Sequence, residues 1–256
     1  MAREANRYVY DCFPTGRHYP GISHLIAARE KAHPEGAWRE IDVASPWGDL
    51  SLAIIDFETT GLEASRDRVL EIGVVLFDRG QLSQRYNTLI NPGIPVPEEA
   101  KKVHGITDED LADAPVFAEI APKLSELLQQ RIPVAYNAGF DRGFLHAEVK
   151  RLEGAHASLA TCPACDAQVQ WIDPLVWVRH LQKYERGKKL TDVCARLGIT
   201  LDNAHRAASD AEATGHVLYA LAPQMPKAYG ELIRLQRQYA KQQEVEMQRW
   251  RSQRKG

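Results

Sequence analysis

The feature that most constrains this chain is an apolar run, Leu52-Ala53-Ile54-Ile55, followed at once by two acids, Asp56 and Glu58. A short apolar run of this kind fits a strand buried on both faces. Side chains alternate along a strand, so positions 56 and 58 point to the same side of the sheet. Two carboxylates set there repel each other and burial disfavours both, which makes them poor core material. A divalent cation would remove both costs, and oxygen ligands suit magnesium or manganese. The competing reading is a pair of strand-end acids facing solvent, and the pair alone leaves both open.

Around this strand the pattern predicts further elements. A second apolar run covers 69–77, and 84–90 reads as a third strand closed by Asn91-Pro92-Gly93, with Gly80-Gln81 suited to a tight connection between them. Helical periodicity follows over 116–130, with Ile120, Leu124, Leu127 and Leu128 on one side. A strand over 132–136 and helices over 140–152, 175–184, 190–197 and 210–221 complete the set. Antiparallel strands first, then helices alternating with a strand, predict an α/β fold with a central mixed sheet flanked by helices.

Three parts are expected. Residues 1–48 form an N-terminal extension of unknown role, in which Tyr8, Tyr10, Phe13, Tyr19, Trp38 and Trp47 are interleaved with Pro and Gly and a short helix starts at Ser23. Its aromatics favour packing against the main domain over a free tail. Residues 49–222 form that domain, and 223–256 a basic helical extension with Leu232, Ile233, Tyr239 and Met247 on a weak apolar side.

Composition excludes some classes. With 44% hydrophobic and 26% charged residues the chain has the balance of a soluble globular protein. It lacks an apolar run near the ~18 residues of a membrane span, and its first residues lack the apolar stretch of a secretory signal. Four scattered cysteines do not suggest a disulfide framework, so a cytoplasmic location is expected. The net charge of −2 hides an asymmetry: residues 226–256 carry eight Lys/Arg against three Asp/Glu, which leaves 24 basic and 31 acidic groups elsewhere, or −7. An acidic body attracts phosphates only through bound cations or a local basic surface. The basic tail reads as a solvated or partner-packing helix, with a phosphate-contacting arm as the second reading. Cys162-Pro-Ala-Cys165 has the spacing of half a zinc site, but a second such pair is missing and His156 and His180 stand at irregular distances, so two ordinary thiols are expected. Gly187-Lys188-Lys189 lacks the glycine-rich lead of a phosphate loop.

More acids join the first pair. Asp141 ends Asn137-Ala138-Gly139-Phe140-Asp141 at a strand-to-helix junction, where function often gathers in α/β sheets and where a helix-capping acid is the plainer reading. His205 and Asp210 stand five apart, a rotation of about 140° on a helix, so they share a site only if His205 lies in the preceding loop. Taken together, Asp56-Phe57-Glu58-Thr59-Thr60-Gly61, Asn137 to Asp141 and His205 to Asp210 resemble the DEDDh exonucleases, the family of the DNA polymerase III proofreading subunit and ribonuclease T. Val103-His104-Gly105-Ile106-Thr107 and Lys188-Lys189-Leu190-Thr191-Asp192 also match. The resemblance spans roughly residues 50–221.

The resemblance implies a ribonuclease H-like exonuclease fold and hydrolysis at the 3′ end of single-stranded or frayed DNA or RNA. It implies two divalent ions, Mg2+ or Mn2+, held by Asp56, Glu58 and Asp210, with Asp56 bridging and Asp141 supporting the second ion through water. Two such ions ~3.5–4 Å apart stabilise the attacking and leaving oxygens of an in-line displacement. His205 becomes the general base, a role that suits an imidazole because the unperturbed ring has a pKa of ~6.5, close to working pH. The family's other subclass uses tyrosine four residues before the last aspartate, where this chain has Arg206. Glu99 and His104 match positions that contact the terminal nucleotide, and Phe57 and Thr59 sit in the first motif beside the substrate. Phe57 could stack on a base or simply fill the core. The alternative class is a nucleic-acid-binding scaffold that has lost turnover, although all five catalytic positions are filled. DNA and RNA are left open, since nothing reports on the 2′-hydroxyl. A homodimer or a protein partner would engage the N- or C-terminal extension.

Overall fold

Among the described residues four strands form one sheet: β1 (Ser51–Thr59), β2 (Val69–Asp78), β3 (Gln81–Leu89) and β4 (Ile132–Val134), in the order β3-β2-β1-β4. The computed structural model describes residues 42–153, 156–202 and 204–253. The first three strands pair antiparallel and β4 runs parallel to β1, so the sheet is mixed. The apolar run became β1 because this strand is covered on both faces. Ala53, Ile55 and Phe57 join one core and Leu52 and Ile54 the other. β3 is an edge strand with most residues exposed. The β2–β3 connection is Arg79-Gly80 rather than Gly80-Gln81. Both residues have positive φ, 52° and 77°, as a two-residue hairpin matching the strand twist needs.

Helices cover the two faces. Phe117, Ile120 and Leu124 of α3 (Phe117–Leu128) and Phe144 and Leu145 of α4 (Ala138–Arg151) build the first core. The second takes Trp177 and Val178 of α6 (Pro174–Leu181), Val193 of α7 (Leu190–Leu197), and Ala211, Val217 and Leu218 of α8 (Ala207–Leu221). Three short helices were not expected: α1 (Glu98–His104), α2 (Asp108–Leu111) and α5 (Ala157–Ala160). Glu99 therefore lies in the first turn of a helix, not in a polar turn. Residues of α1 and α2 shelter a small third cluster of Leu70, Val96, Ile106 and Leu111.

The C-terminal helix α9 (Tyr229–Gln253) buries Tyr229, Leu232, Ile233 and Gln236 in the second core, and its distal half is largely exposed. Residues 43–47 meet its start: Gly230 N–H donates to Val43 O and Tyr229 N–H to Ser45 O. Trp47 is buried beside Tyr219 and donates its indole N–H to Pro226 O at 2.8 Å. The other aromatics named above and the helix expected from Ser23 lie outside the described residues. Among those described, no helix is long and apolar enough to cross a membrane. Cys162 and Cys165 are free thiols in a turn between α5 and α6, closed by the Cys165 N–H donating to Cys162 O at 3.0 Å. His180 instead stacks on Tyr239, with ring centroids 3.5 Å apart.

Candidate active site

β1 presents Asp56 and Glu58 at its carboxyl end, on the same side as Leu52 and Ile54 and therefore toward α8. Asp141 stands in the first turn of α4 and is buried. The backbone N–H of Phe57 faces its carboxylate and favours the charged form, which sets Asp141 beside β1 between the two strand acids. Asn137 enters α4 with φ of 72°, and the N–H groups of Asn137 and Ala138 are held by Asp173 at 3.1 Å each. Asp173 also accepts from Leu175 N–H at 2.9 Å, so one carboxylate caps two helix starts.

His205 does lie in the loop before α8, with φ of 66°. Its backbone N–H donates to Asp210 Oδ2 at 3.1 Å, which closes the turn and sets both groups at one place. Glu58, His205 and Asp210 each offer a ligand atom within 4.8 Å of the others. Asp56 lies within the electrostatic field of Asp141, Asp210, Glu58 and Glu71.

Burial, then the neighbouring acids, holds Asp56 well above the usual carboxylate range, and burial does the same to Asp141. Glu58 is pushed up to about 8, first by burial and then by Asp210 and Glu71, against the relief of Arg206. Asp210 is raised by burial although the His205 N–H opposes it. Four acids so placed are poorly served by the chain alone. Their oxygen-only donor set and mutual crowding fit divalent cations, which reverse that electrostatic logic.

The expected substrate contacts divide. His104, at the end of α1, is buried; its Nδ1 accepts Ile106 N–H at 3.0 Å, and its Nε2 has no hydrogen-bond partner among the described residues. Burial lowers its pKa, and the nearby Thr59 backbone and Glu71 oppose that shift. Glu99 is exposed on the same helix. Phe57 is 5% exposed and packed in the first core, the plainer of its two readings. Thr59 is buried, and its hydroxyl donates to Gly61 O at 2.6 Å.

Two residues escaped the sequence reading. Glu71 is fully buried on β2 directly across from Glu58, paired with Arg206 at 2.7 Å. Its signal was a lone acid inside the apolar run 69–77. Asp173 was signalled by the proline that follows it, since an acid before a first-turn proline marks a helix start.

A mixed sheet with an acid cluster at the carboxyl end of its first strand, joined by a loop histidine, is the setting in which a family match makes the chain a nuclease-type hydrolase. The model of the RNase T exonuclease family matches residues 53–218, and the chain belongs to that family. Among curated relatives it is 33% identical over 189 residues to the PolC-type DNA polymerase III of Thermotoga maritima, covering 74% of this chain and 13% of that protein. It is also 33% identical over 187 residues to the DNA polymerase III subunit epsilon of Treponema pallidum, covering 72% and 82%. The chain thus spans about an eighth of the PolC-type relatives it matches (13% of their length) and most of the epsilon subunit. Solved structures agree on the fold: exonuclease I (TM-score 0.60, 18% identity, 70% of this chain and 42% of that one) and exonuclease X bound to 5′-overhanging duplex DNA (0.55, 22%, 72% and 99%).

Proposed function

We propose that this chain is a 3′–5′ exonuclease that removes nucleotides from single-stranded or frayed DNA, with RNA as the second substrate to test. The observation that carries it is the convergence of Asp56, Glu58, Asp141 and Asp210 from β1, α4 and α8 beside the loop histidine. The DNA-polymerase relatives, and the DNA-bound structures of exonucleases I and X, favour DNA.

Asp56, Glu58 and Asp210 would hold two divalent ions directly, with Asp141 supporting one of them. Such ions activate water and stabilise charge on the attacking and leaving oxygens. His205, exposed at the mouth of the cluster, takes the proton from the attacking water. Asp210 holds the His205 backbone in place while it does so. His104 would meet the terminal sugar or phosphate and Glu99 would accept from the 3′-hydroxyl, which would give the end preference.

The test is a time course on 3′- and 5′-labelled single-stranded DNA and matched RNA with magnesium, manganese or EDTA. A metal-dependent ladder shortening from the 3′ end supports the proposal, and the faster polymer names the substrate class. No shortening of either polymer with either metal would overturn it in favour of a binding scaffold.

A further inference from the structure

Helix α8 carries Asp210 but begins without a cap of its own. Its N-cap residue, Arg206, makes no side-chain cap bond, yet the first N–H groups of a helix need acceptors. The sheet supplies them. Ala207 N–H donates to Glu71 Oε2 at 3.2 Å and Ala208 N–H to Asn87 Oδ1 at 3.1 Å. The two acceptors are themselves joined, Asn87 Nδ2 donating to Glu71 Oε1 at 2.8 Å. Arg206 closes the group: its Nη2 donates to Glu71 Oε1 at 2.7 Å and its Nε lies 3.1 and 3.2 Å from the two carboxylate oxygens.

These contacts fall between His205 and Asp210. They are anchored at the sheet end, because all of them converge, directly or through Asn87, on Glu71, which is fully buried and has little room to move. They also reach the other half of the site, because Glu71 stands across β1 and β2 from Glu58. The strand that carries two of the acids and the turn that carries the histidine and the last acid are therefore referenced to the same carboxylate. Arg206 faces Glu58 and Asp110 as well as Glu71.

We propose that Glu71, Asn87 and Arg206 form a positioning clasp that fixes the His205–Asp210 turn against Asp56 and Glu58, and so sets the rate of the chemical step rather than the strength of nucleic-acid binding. The proposal rests on the function stated above. All three are positioning residues: Glu71 and Asn87 act through the backbone of α8, and Arg206 through Glu71.

Asn87→Ala and Arg206→Lys test it in the full chain. Asn87 lies on the exposed edge strand, and Arg206→Lys keeps the charge while losing the guanidinium fork. Each is expected to lower kcat on single-stranded DNA by about 10–100-fold, the usual range for groups that orient metal-site ligands. At saturating manganese, KM for the oligonucleotide should stay within about twofold, since the lost interaction orients the reacting groups and does not bind substrate. Manganese affinity, titrated without substrate, should weaken in both variants. In Asn87→Ala the amides of Ala207 and Ala208 should exchange with deuterium faster than in the parent. Folded variants with parental kcat and parental exchange overturn the clasp, as does a KM increase at constant kcat. A parent that releases no nucleotide would sink the function, not the clasp. Amide exchange then decides alone: faster exchange in Asn87→Ala supports the clasp and unchanged exchange overturns it.

Discussion

Gly73→Ala is expected to cost both stability and activity. The residue sits in β2 opposite Asp56, with extended backbone that any side chain tolerates. An alanine at such a position would ordinarily stabilise by about 0.4–1 kcal/mol through the unfolded chain. Here its Cβ would lie 2.2 Å from the carbonyl carbon of Ala207 and 2.3 Å from the nitrogen of Ala208. Ordinary contact begins at 3.4 Å, and the obstacle is backbone that cannot rotate aside. The start of α8 must therefore retreat by roughly 1.2 Å, the difference between 3.4 and 2.2 Å. Overpacking of this kind costs about 1–3 kcal/mol, which outweighs the gain from the unfolded chain. The same shift moves Asp210, and a misplacement of about 1 Å is worth up to about 100-fold in rate. Gly215→Ala is the control. It crowds the same helix against the sheet, with Cβ 2.5 Å from the Phe77 ring, a side chain that can turn. It stands about 7.5 Å along the helix from Asp210. Urea denaturation and single-turnover nucleotide release at saturating manganese would be measured on both. Gly73→Ala should lose stability and at least about tenfold in rate, and Gly215→Ala stability with little rate. Parental rate in a folded Gly73→Ala, or equal rate losses in the two variants, would refute the reasoning.

Asp56→Ala and Asp210→Ala should each abolish turnover with the circular dichroism spectrum unchanged, whereas His205→Ala should slow turnover strongly and leave manganese binding in place; near-normal activity of Asp56→Ala would sink the metal assignment. In EDTA, stability should fall as pH rises. Glu58 keeps in the folded state, up to about 8, a proton that the unfolded chain releases near 4.5, so the unfolded state binds fewer protons in that window and the slope is negative. Every tenfold tightening of proton binding on folding is worth about 1.4 kcal/mol, which gives a ceiling of several kcal/mol for Glu58 alone. Urea midpoints from about pH 5 to pH 8.5 check it, with saturating manganese flattening the slope by binding the folded state; a rise in EDTA stability across that window would contradict the assignment. At the other end of β2, Arg131 and two serines hold Asp78 below the usual carboxylate range, so its stabilisation is present above about pH 4 and lost as pH falls further. The pair is partly exposed, so Arg131→Ala should cost about 1 kcal/mol or less at neutral pH, and the difference should shrink in acid; a constant difference from pH 7 to pH 2 would exclude the linkage.

Where burial was two-sided or periodic, the sequence spoke clearly. β1, β2 and the longer helices carry continuous or regularly spaced apolar residues, and these specify an element whatever surrounds it. α1 and α2 were not legible because a helix of four to seven residues shows too few turns for periodicity; only the Thr107–Asp110 capping box marked one of them. The motif acids were legible as residues, but their convergence was not. Asp141 reaches Asp56 because β4 runs parallel beside β1 and delivers the start of α4 to the same end of the sheet, a fact of pairing that no local pattern contains. The cap on α8 was hidden for the same reason. Helix caps are normally sought next to the helix, and this one comes from strands 121 and 136 residues away in sequence.

The electrostatics of the cluster and the proposed reaction are one problem. A body with 31 acidic and 24 basic groups outside residues 226–256, with four crowded acids at its site, repels a phosphate chain. Among the described residues the cation that relieves Glu58 is Arg206, and its hydrogen bonds go to Glu71. The pKa of each acid is raised, so the folded state holds an electrostatic deficit that protons relieve at low pH and that divalent cations would relieve at higher pH. Under the proposed function, binding of cations would precede binding of the phosphate chain, so the affinity for DNA should rise steeply with manganese concentration while the affinity for manganese rises with pH. A DNA affinity equal in EDTA and in manganese would show that the acids do not govern access, and would place the nucleic-acid contact on another surface of the chain.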